Sequence, residues 1–190
     1  MTRPIERKEA DETDLAVQLA RGQERAFDEV VALYRDRVAR LAHRLMGWRG
    51  DVDDVVQDVF LAVFRKAKSF RKDASLWTWL TVITVNCCRT RHRRQALRTR
   101  LAAVLPWQAR ESDAADHGAI RDEAAMQVRD AVATLPPRDR EVVVLFYFEH
   151  KSAAEIGALV GSSRNAVEVR LHRARAALRT VLEPMLRDER

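Results

Sequence analysis

The spacing of apolar residues constrains this chain more than any other feature. Along most of its 190 residues, apolar side chains recur every three or four positions, which is the period of a helix with one buried face. Glycine and proline, which interrupt helices, are few, with six and five copies. The sequence therefore predicts an all-α protein with two small helical domains joined by a flexible linker.

The predicted boundaries follow changes in composition along the chain. The charged amino terminus predicts disorder, and Asp14 can cap a short helix that Gly22 ends. The segment after Arg94 has a proline, small residues and mixed charges, which favours a linker, although its basic start could equally extend the preceding helix. The predicted divisions are a disordered tail at 1–13, a first domain at 14–95, a linker at 96–119, a second domain at 120–184 and a C-terminal tail at 185–190.

An amphipathic helix beginning at Asp53 has an acidic front. Asp54, Gln57 and Asp58 share the face opposite an apolar stripe. The stripe predicted to be buried comprises Val55, Val56, Val59, Phe60, Val63 and Phe64. A negatively charged helix face of this kind is either solvated or a docking surface for a basic partner.

The next predicted helix combines aromatic and basic residues. Its apolar stripe includes Leu80, and its end is almost uninterrupted positive charge. For Trp79 a core position is favoured, whereas Trp77 could lie at a nucleic-acid surface. An acidic helix followed by an aromatic and basic one indicates a protein-docking surface beside a nucleic-acid surface.

The carboxyl-terminal third has the spacing of a helix-turn-helix. Ser152 and Glu155 form a capping-box pattern that predicts the start of a helix, and Gly161 follows as the turn. The second helix of such a motif enters the major groove, where arginine can bind guanine or phosphate. The polar surface predicted for this helix comprises Arg164, Asn165, Glu168, His172, Arg173 and Arg175.

Several classes of protein are disfavoured by the residues present. A net charge of +6 and a pI near 9.9 permit a polyanionic partner. The adjacent cysteines Cys87 and Cys88 make a disulfide between them improbable and fit a reducing cytoplasm, and neither metal-ligand spacing nor a cofactor motif is found. No phosphate-binding glycine loop, nucleophile with its base, signal peptide or membrane span is evident. We expect a cytoplasmic protein that is not an enzyme and has no cofactor or metal.

Two blocks resemble one protein family in the expected order. The run DVDDVVQDVFLAVFRKAKSFRKDASLWTWLTVITVNCCRTRHRR resembles region 2 of the extracytoplasmic-function (ECF) group of sigma-70-type sigma factors. The run LPPRDREVVVLFYFEHKSAAEIGALVGSSRNAVEVRLHRARAALR resembles sigma region 4. The resemblance implies a region 2 helical bundle and a region 4 helix-turn-helix. It also implies a factor that binds core RNA polymerase and directs promoter-specific transcription initiation.

The resemblance also implies roles for individual residues. Contacts with the clamp coiled coil of the largest polymerase subunit fall on Asp54, Gln57 and Asp58. Contacts with the minus-ten element fall on Phe70, Lys72, Asp73, Ser75, Trp77, Asn86, Arg89, Arg91, Arg93 and Arg94. Contacts with the minus-35 element fall on Arg164, Asn165, Glu168, Val169, Arg170, His172 and Arg173. The implied partners are core RNA polymerase through its clamp and flap, promoter DNA and an anti-sigma factor.

The sequence departs from the family pattern at some positions, and it is compatible with alternative functions. Lys72 replaces a residue that is usually small, and Glu168 stands where the family usually carries a basic residue, which predicts an altered minus-35 preference. A sigma-like decoy that binds an anti-sigma factor and a plain helix-turn-helix regulator are the alternatives. The role of Trp107 in the linker, and whether the two domains are closed or open, are not determined by the sequence.

Overall fold

The computed structural model describes residues 4–48, 52–70, 74–104 and 123–188. These residues form helices and connecting turns, with no β-strand among them, so the predicted all-α class is confirmed. The α-helices are α1 (Pro4–Ala20), α2 (Glu24–Leu45), α3 (Asp53–Lys66), α4 (Leu76–Val104), α5 (Glu123–Thr134), α6 (Pro137–Val143), α7 (Ala153–Val160) and α8 (Arg164–Asp188). We refer to α1–α4 as the N-terminal domain and to α5–α8 as the C-terminal domain.

The N-terminal domain is a bundle closed by the apolar stripes of its helices. In α2 the stripe includes Val30, Val38 and Leu41, none of which is exposed to solvent. It packs against the stripe of α3, including Val59, and against Leu80 of α4. Each helix is amphipathic, so burying these stripes together removes apolar surface from water and leaves the polar faces outside.

Two expectations for the N-terminal domain are wrong. Helix α1 begins at Pro4 within the tail predicted to be disordered, because proline suits the first turn of a helix and Leu15 and Leu19 anchor the helix in the core. Asp14 therefore lies inside α1, where it accepts a hydrogen bond from Gln18, instead of capping a helix. Phe64, expected in the buried stripe, is 64% exposed, because Val63 fills the core position at this turn.

Helix α4 is longer than the boundary of the first domain predicted from the sequence. It continues through Arg94 to Val104, so the basic segment extends the helix, and the linker predicted to begin at residue 96 is helical at its start. Arginine, leucine and alanine favour helix, which accounts for the continuation. Residues 105–122, which include Trp107, lie outside the described residues.

Two prolines separate the first two helices of the C-terminal domain. Helix α5 ends at Thr134, before Pro136, and α6 begins at Pro137, the residue type favoured in a first helical turn. Residues Val144–Phe148 continue α6 as a π-helical turn. Helix α8 extends to Asp188, so most of the predicted C-terminal tail is helical, since methionine, leucine and arginine favour helix.

The capping box at the start of α7 is confirmed. The Ser152 hydroxyl accepts a hydrogen bond from the Glu155 amide at 3.3 Å, and the Glu155 carboxylate accepts one from the Ser152 amide at 2.8 Å. We expect Ser152→Ala to cost about 1 kcal/mol of stability, equivalent to a fall in Tm of about 2–4 °C for a chain of this size. Thr99→Ala, at an exposed position within α4, is the control in thermal unfolding by circular dichroism. Equal Tm values for the two variants would contradict the capping role.

The two domains share one hydrophobic core. Trp48, after α2, contacts the ring of Phe148 with centroids 6.1 Å apart. Buried Arg140 of α6 donates from Nε to the Leu45 carbonyl at the end of α2, at 3.0 Å. Its guanidinium lies against Gly47, where a Cβ would collide with it. The closed arrangement, which the sequence leaves open, is therefore the one observed.

None of the described helices combines the length and the apolarity that a membrane span requires.

Candidate nucleic-acid interface

The acidic face of α3 is exposed along its length. Asp54, Gln57 and Asp58 all face solvent, as predicted from their spacing. Asp54 pairs with Arg91 of α4, with 3.1 Å between Oδ2 and Nη1, and both side chains are well exposed. Exposed pairs of this kind contribute about 0–1 kcal/mol, so the acidic face is not required for the fold.

An apolar residue that the sequence analysis did not select extends this face. Leu61 follows Gln57 and Asp58 at helical spacing and is 46% exposed. The sequence could have indicated this residue, because helical spacing places Leu61 on the same face as Gln57 and Asp58 and away from the apolar stripe. An acidic helix face that adjoins an exposed leucine is suited to docking a protein partner.

The loop before α4 is only partly described, and Lys72 and Asp73 lie outside the described residues. Phe70 is half-buried and contacts Trp79 edge to face, with ring centroids 5.3 Å apart. Ser75 is exposed, and its hydroxyl accepts a hydrogen bond from the Thr78 amide at 3.2 Å. Ser75 therefore caps α4 in this structure.

The outer face of α4 gathers several of the residues predicted to contact the minus-ten element. Asn86 and Arg93 are both exposed and lie two helical turns apart. Trp79 lies two turns before Asn86 and is half-buried beside Phe70, so it joins this face. We call Phe70, Trp79, Asn86 and Arg93 the α4 stripe. Arg94 is exposed nearby, whereas Arg91 points toward α3.

Trp77 is buried, which makes its placement at an exposed nucleic-acid surface wrong for the closed arrangement. It is 6% exposed and stacks on Tyr34. Its indole Nε1 donates to Glu149 of the C-terminal domain at 3.1 Å, and the guanidinium of Arg37 lies 3.8 Å from its ring centroid. Arg44 pairs with the same carboxylate at 3.6 Å. The core role favoured for Trp79 is thus taken by Trp77.

Arg89 is engaged by the C-terminal domain. Its Nε and Nη2 donate to the two carboxylate oxygens of Glu141 at 2.8 and 2.7 Å. Its guanidinium also donates to the Val160 carbonyl, at 3.2 and 3.3 Å. Two-point arginine–carboxylate pairs are among the strongest hydrogen-bonded contacts in proteins. In this arrangement Arg89 is not available to a phosphate.

The helix-turn-helix formed by α7 and α8 is built on a close backbone approach. Gly161 adopts a left-handed conformation (φ 67°) that ends α7. Gly157 packs against the turn, where an added Cβ would meet the Ser162 carbonyl oxygen at 2.7 Å. The exposed residues of α8 that the sequence predicted are Arg164, Asn165, Glu168, Val169, His172 and Arg173.

Two contacts involve charged residues of α8. Glu168 accepts a hydrogen bond from Arg164 at 2.7 Å, so each charge is compensated by the other. Arg173 approaches Asp139 at 3.7 Å while 62% of its side chain stays exposed. Arg170 differs from the other predicted residues, because it is half-buried and faces α4 and α6.

The fold and these surfaces together indicate the class of protein to which the chain belongs. An all-helical chain with a helix-turn-helix, whose exposed second helix carries arginines, is a DNA-binding transcription protein. The acidic face of α3 adds a second surface that such a protein does not need for DNA alone.

Comparisons with known proteins make the class specific. The family model of sigma-70 region 2 matches residues 30–98, and that of sigma-70 region 4 matches residues 125–178. The chain is 32% identical over 178 residues to the ECF RNA polymerase sigma factor SigM of Mycobacterium tuberculosis, covering 93% of this chain and 87% of that protein. It is 29% identical over 182 residues to the ECF RNA polymerase sigma-E factor of Escherichia coli K12, covering 91% and 95%.

A solved structure agrees with this assignment. CnrH in complex with the cytosolic domain of CnrY matches with a TM-score of 0.62 and 32% identity, covering 91% of this chain and 97% of that one. This chain belongs to the ECF group of the sigma-70 family. It is a promoter-directing sigma factor, that is, a transcription initiation factor.

Proposed function

We propose that this sigma factor docks on core RNA polymerase through the acidic face of α3, which Leu61 extends toward the end of the helix. The supporting observation is that Asp54, Gln57 and Asp58 are exposed on one helix face although the fold does not require them. By family resemblance, the partner surface is the basic clamp coiled coil of the largest polymerase subunit. Carboxylates steer association with such a surface, and the adjoining exposed leucine supplies apolar contact area.

Reversing one charge on this face tests the proposal. We expect Asp58→Arg to lower the affinity for core polymerase at least about tenfold, because it places like charges together in a docked interface. Glu183→Arg, an exposed change of the same size on α8, is the control and should bind normally. The measurement is a pull-down of purified core polymerase, with circular dichroism to verify the fold. Equal binding by the two variants would refute the placement.

The α4 stripe and Arg94 are proposed to hold the minus-ten element. Aromatic rings can stack on unpaired bases, an amide such as that of Asn86 can read a base edge, and arginines neutralise phosphates. Lys72, Asp73 and Ser75 complete the predicted loop. Trp77 and Arg89 are occupied by contacts with the C-terminal domain, so their predicted DNA contacts require the domains to separate. Arg91 pairs with Asp54 within the N-terminal domain, and only this exposed pair has to break for Arg91 to reach DNA.

The exposed face of α8 is proposed to read the minus-35 element. Arg173, with its side chain largely free, and Glu168 are the proposed base-reading residues, and Val169 and His172 lie beside them. The flap of the polymerase is the proposed partner of this domain by family resemblance. The carboxylate of Glu168 can accept from cytosine N4 once it is released from Arg164.

A selection from randomised promoters tests the role of Glu168. We expect the wild-type chain to prefer cytosine at one position of the minus-35 element, and Glu168→Lys to shift the preference there to guanine. Each such contact is worth about 1–3 kcal/mol of discrimination. Glu183→Lys serves as the control, with no expected change. An unchanged minus-35 preference in Glu168→Lys would contradict this role.

An anti-sigma factor is the third proposed partner. The similar structure of CnrH holds the cytosolic domain of CnrY, so a chain of this fold accommodates a bound protein. The decoy alternative shares this partner but predicts neither core binding nor transcription. Run-off transcription with purified core polymerase and a promoter library separates the two functions. Initiation that depends on this chain supports the proposal, and failure to bind core polymerase would favour the decoy.

A further inference from the structure

A cavity of about 480 Å³ lies between the two domains. It is bounded by α4, the start of α6, the turn after α7 and the first half of α8. Pockets of this size at domain interfaces commonly accept small molecules. We call it the interdomain cleft.

The lining of the cleft is strongly basic. Arg93 of α4, Arg138 of α6 and Arg170 of α8 line it and have no hydrogen-bonding or acidic partner among the described side chains. Among the described residues that line the cleft, Glu141 supplies the only carboxylate, and it is already paired with Arg89. The cleft therefore gathers three uncompensated guanidinium groups from three helices and from both domains.

The remaining polar groups in the lining do not offset this charge. Cys88 is buried, which raises the pKa of its thiol to about 12, so it carries no negative charge at neutral pH. Burial lowers the pKa of His92, so its imidazole is neutral at neutral pH. Its Nε2 lies 3.3 Å from the Leu45 carbonyl oxygen. Closing the domains therefore brings like charges together.

We propose that the interdomain cleft binds a small anion with at least two linked phosphate groups. Guanidinium groups bind phosphate oxygens through two-point hydrogen bonds. Three guanidinium groups around one cavity match a ligand with several phosphate groups better than a ligand with a single phosphate. The cleft exists only while the domains are closed, so the anion stabilises that arrangement by mass action. Arg93 is also a proposed minus-ten contact, and the family resemblance implies a minus-35 contact for Arg170, so a bound anion opposes promoter binding.

Calorimetric titration of the full chain with inorganic pyrophosphate and with tripolyphosphate, at constant ionic strength, tests the proposal. Arg138 belongs to none of the proposed DNA contacts, so Arg138→Gln changes the cleft alone. We expect it to weaken binding about tenfold, the effect of losing one charge-assisted contact. Arg179→Gln removes an exposed arginine outside the cleft and should bind within about twofold of the wild type. Thermal unfolding verifies that both variants are folded.

The alternative outcomes are distinct. Equal affinities for Arg138→Gln and Arg179→Gln would mean diffuse attraction to a basic surface and would overturn the site. Orthophosphate binding as tightly as pyrophosphate would overturn the class of ligand. A short promoter duplex whose affinity falls equally in Arg138→Gln would assign the cleft to phosphates of the DNA backbone. None of these measurements uses polymerase, so they are independent of the transcription assay.

Discussion

Arg89→Ala is expected to open the two domains of the sigma factor. Arg89 holds the carboxylate of Glu141 across the domain interface at 2.7 and 2.8 Å, and Glu141 is 4% exposed. Removing the arginine leaves a buried carboxylate without its two-point partner, which costs up to about 3–5 kcal/mol when both groups are buried and less here, where Arg89 is partly exposed. Separation of the domains hydrates Glu141 and avoids this cost, so the closed arrangement is lost before either domain unfolds.

Small-angle scattering of the free chain measures the opening as a rise in the radius of gyration. Arg91→Ala is the matched control, because it removes an arginine of the same helix whose pair with Asp54 is exposed and worth about 0–1 kcal/mol. The double variant Arg89→Ala, Glu141→Gln should be more closed than Arg89→Ala alone, since it no longer buries a charge. Equal radii for Arg89→Ala and Arg91→Ala would contradict the role of the pair.

Gly157→Ala is expected to destabilise the C-terminal domain, although helix propensity alone predicts the opposite. Alanine in place of glycine within a helix favours stability by about 1 kcal/mol. Here the added Cβ would lie 2.7 Å from the Ser162 carbonyl oxygen and 3.3 Å from the Arg164 amide nitrogen. The first is a backbone atom of the turn and the second belongs to the first residue of α8, so α8 must move. Overpacking of this kind costs typically about 1–3 kcal/mol.

The displacement of α8 should be visible in DNA binding. Because α8 carries the proposed minus-35 contacts, we expect Gly157→Ala to lower both Tm and the affinity for a minus-35 duplex. Gly161→Ala is the control, since nothing lies within 4 Å of its added Cβ and it suffers only the strain of a positive φ. It should lose stability with less effect on DNA affinity. A Tm increase in Gly157→Ala would show that propensity outweighs crowding.

The closed arrangement connects these predictions with function. Trp77 and Arg89 were predicted to contact DNA, yet both are bound to glutamates of the C-terminal domain. These contacts link promoter access to domain separation. An anion in the interdomain cleft would oppose the separation, and loss of Arg89 would favour it.

The local sequence was sufficient to predict those features of the structure that depend on residues close together in the chain. The apolar stripes of α2 and α3, the capping box at Ser152 and the exposed acidic face around Asp58 follow from helical spacing within a few residues. For the same reason, the exposed face of α8 could be predicted before its surroundings were known. Phe64 shows the limit of this approach, because Phe64 and Val63 are adjacent and spacing alone did not exclude the exposed one.

The pairing between the domains was decided only by the tertiary structure. Arg89 and Glu141 are 52 residues apart in the sequence, and Trp77 and Glu149 are 72 apart. Periodicity shows that a residue such as Trp77 lies on a helix face, but not which distant element covers that face. Contacts with the C-terminal domain help to place Trp77, and not Trp79, in the core. Contacts with the same domain also pair Arg89 with a carboxylate instead of leaving it free for a phosphate. The sequence by itself therefore determined the helical class, most of the helix faces and the resemblance to the family, whereas only packing determined which of those faces are accessible.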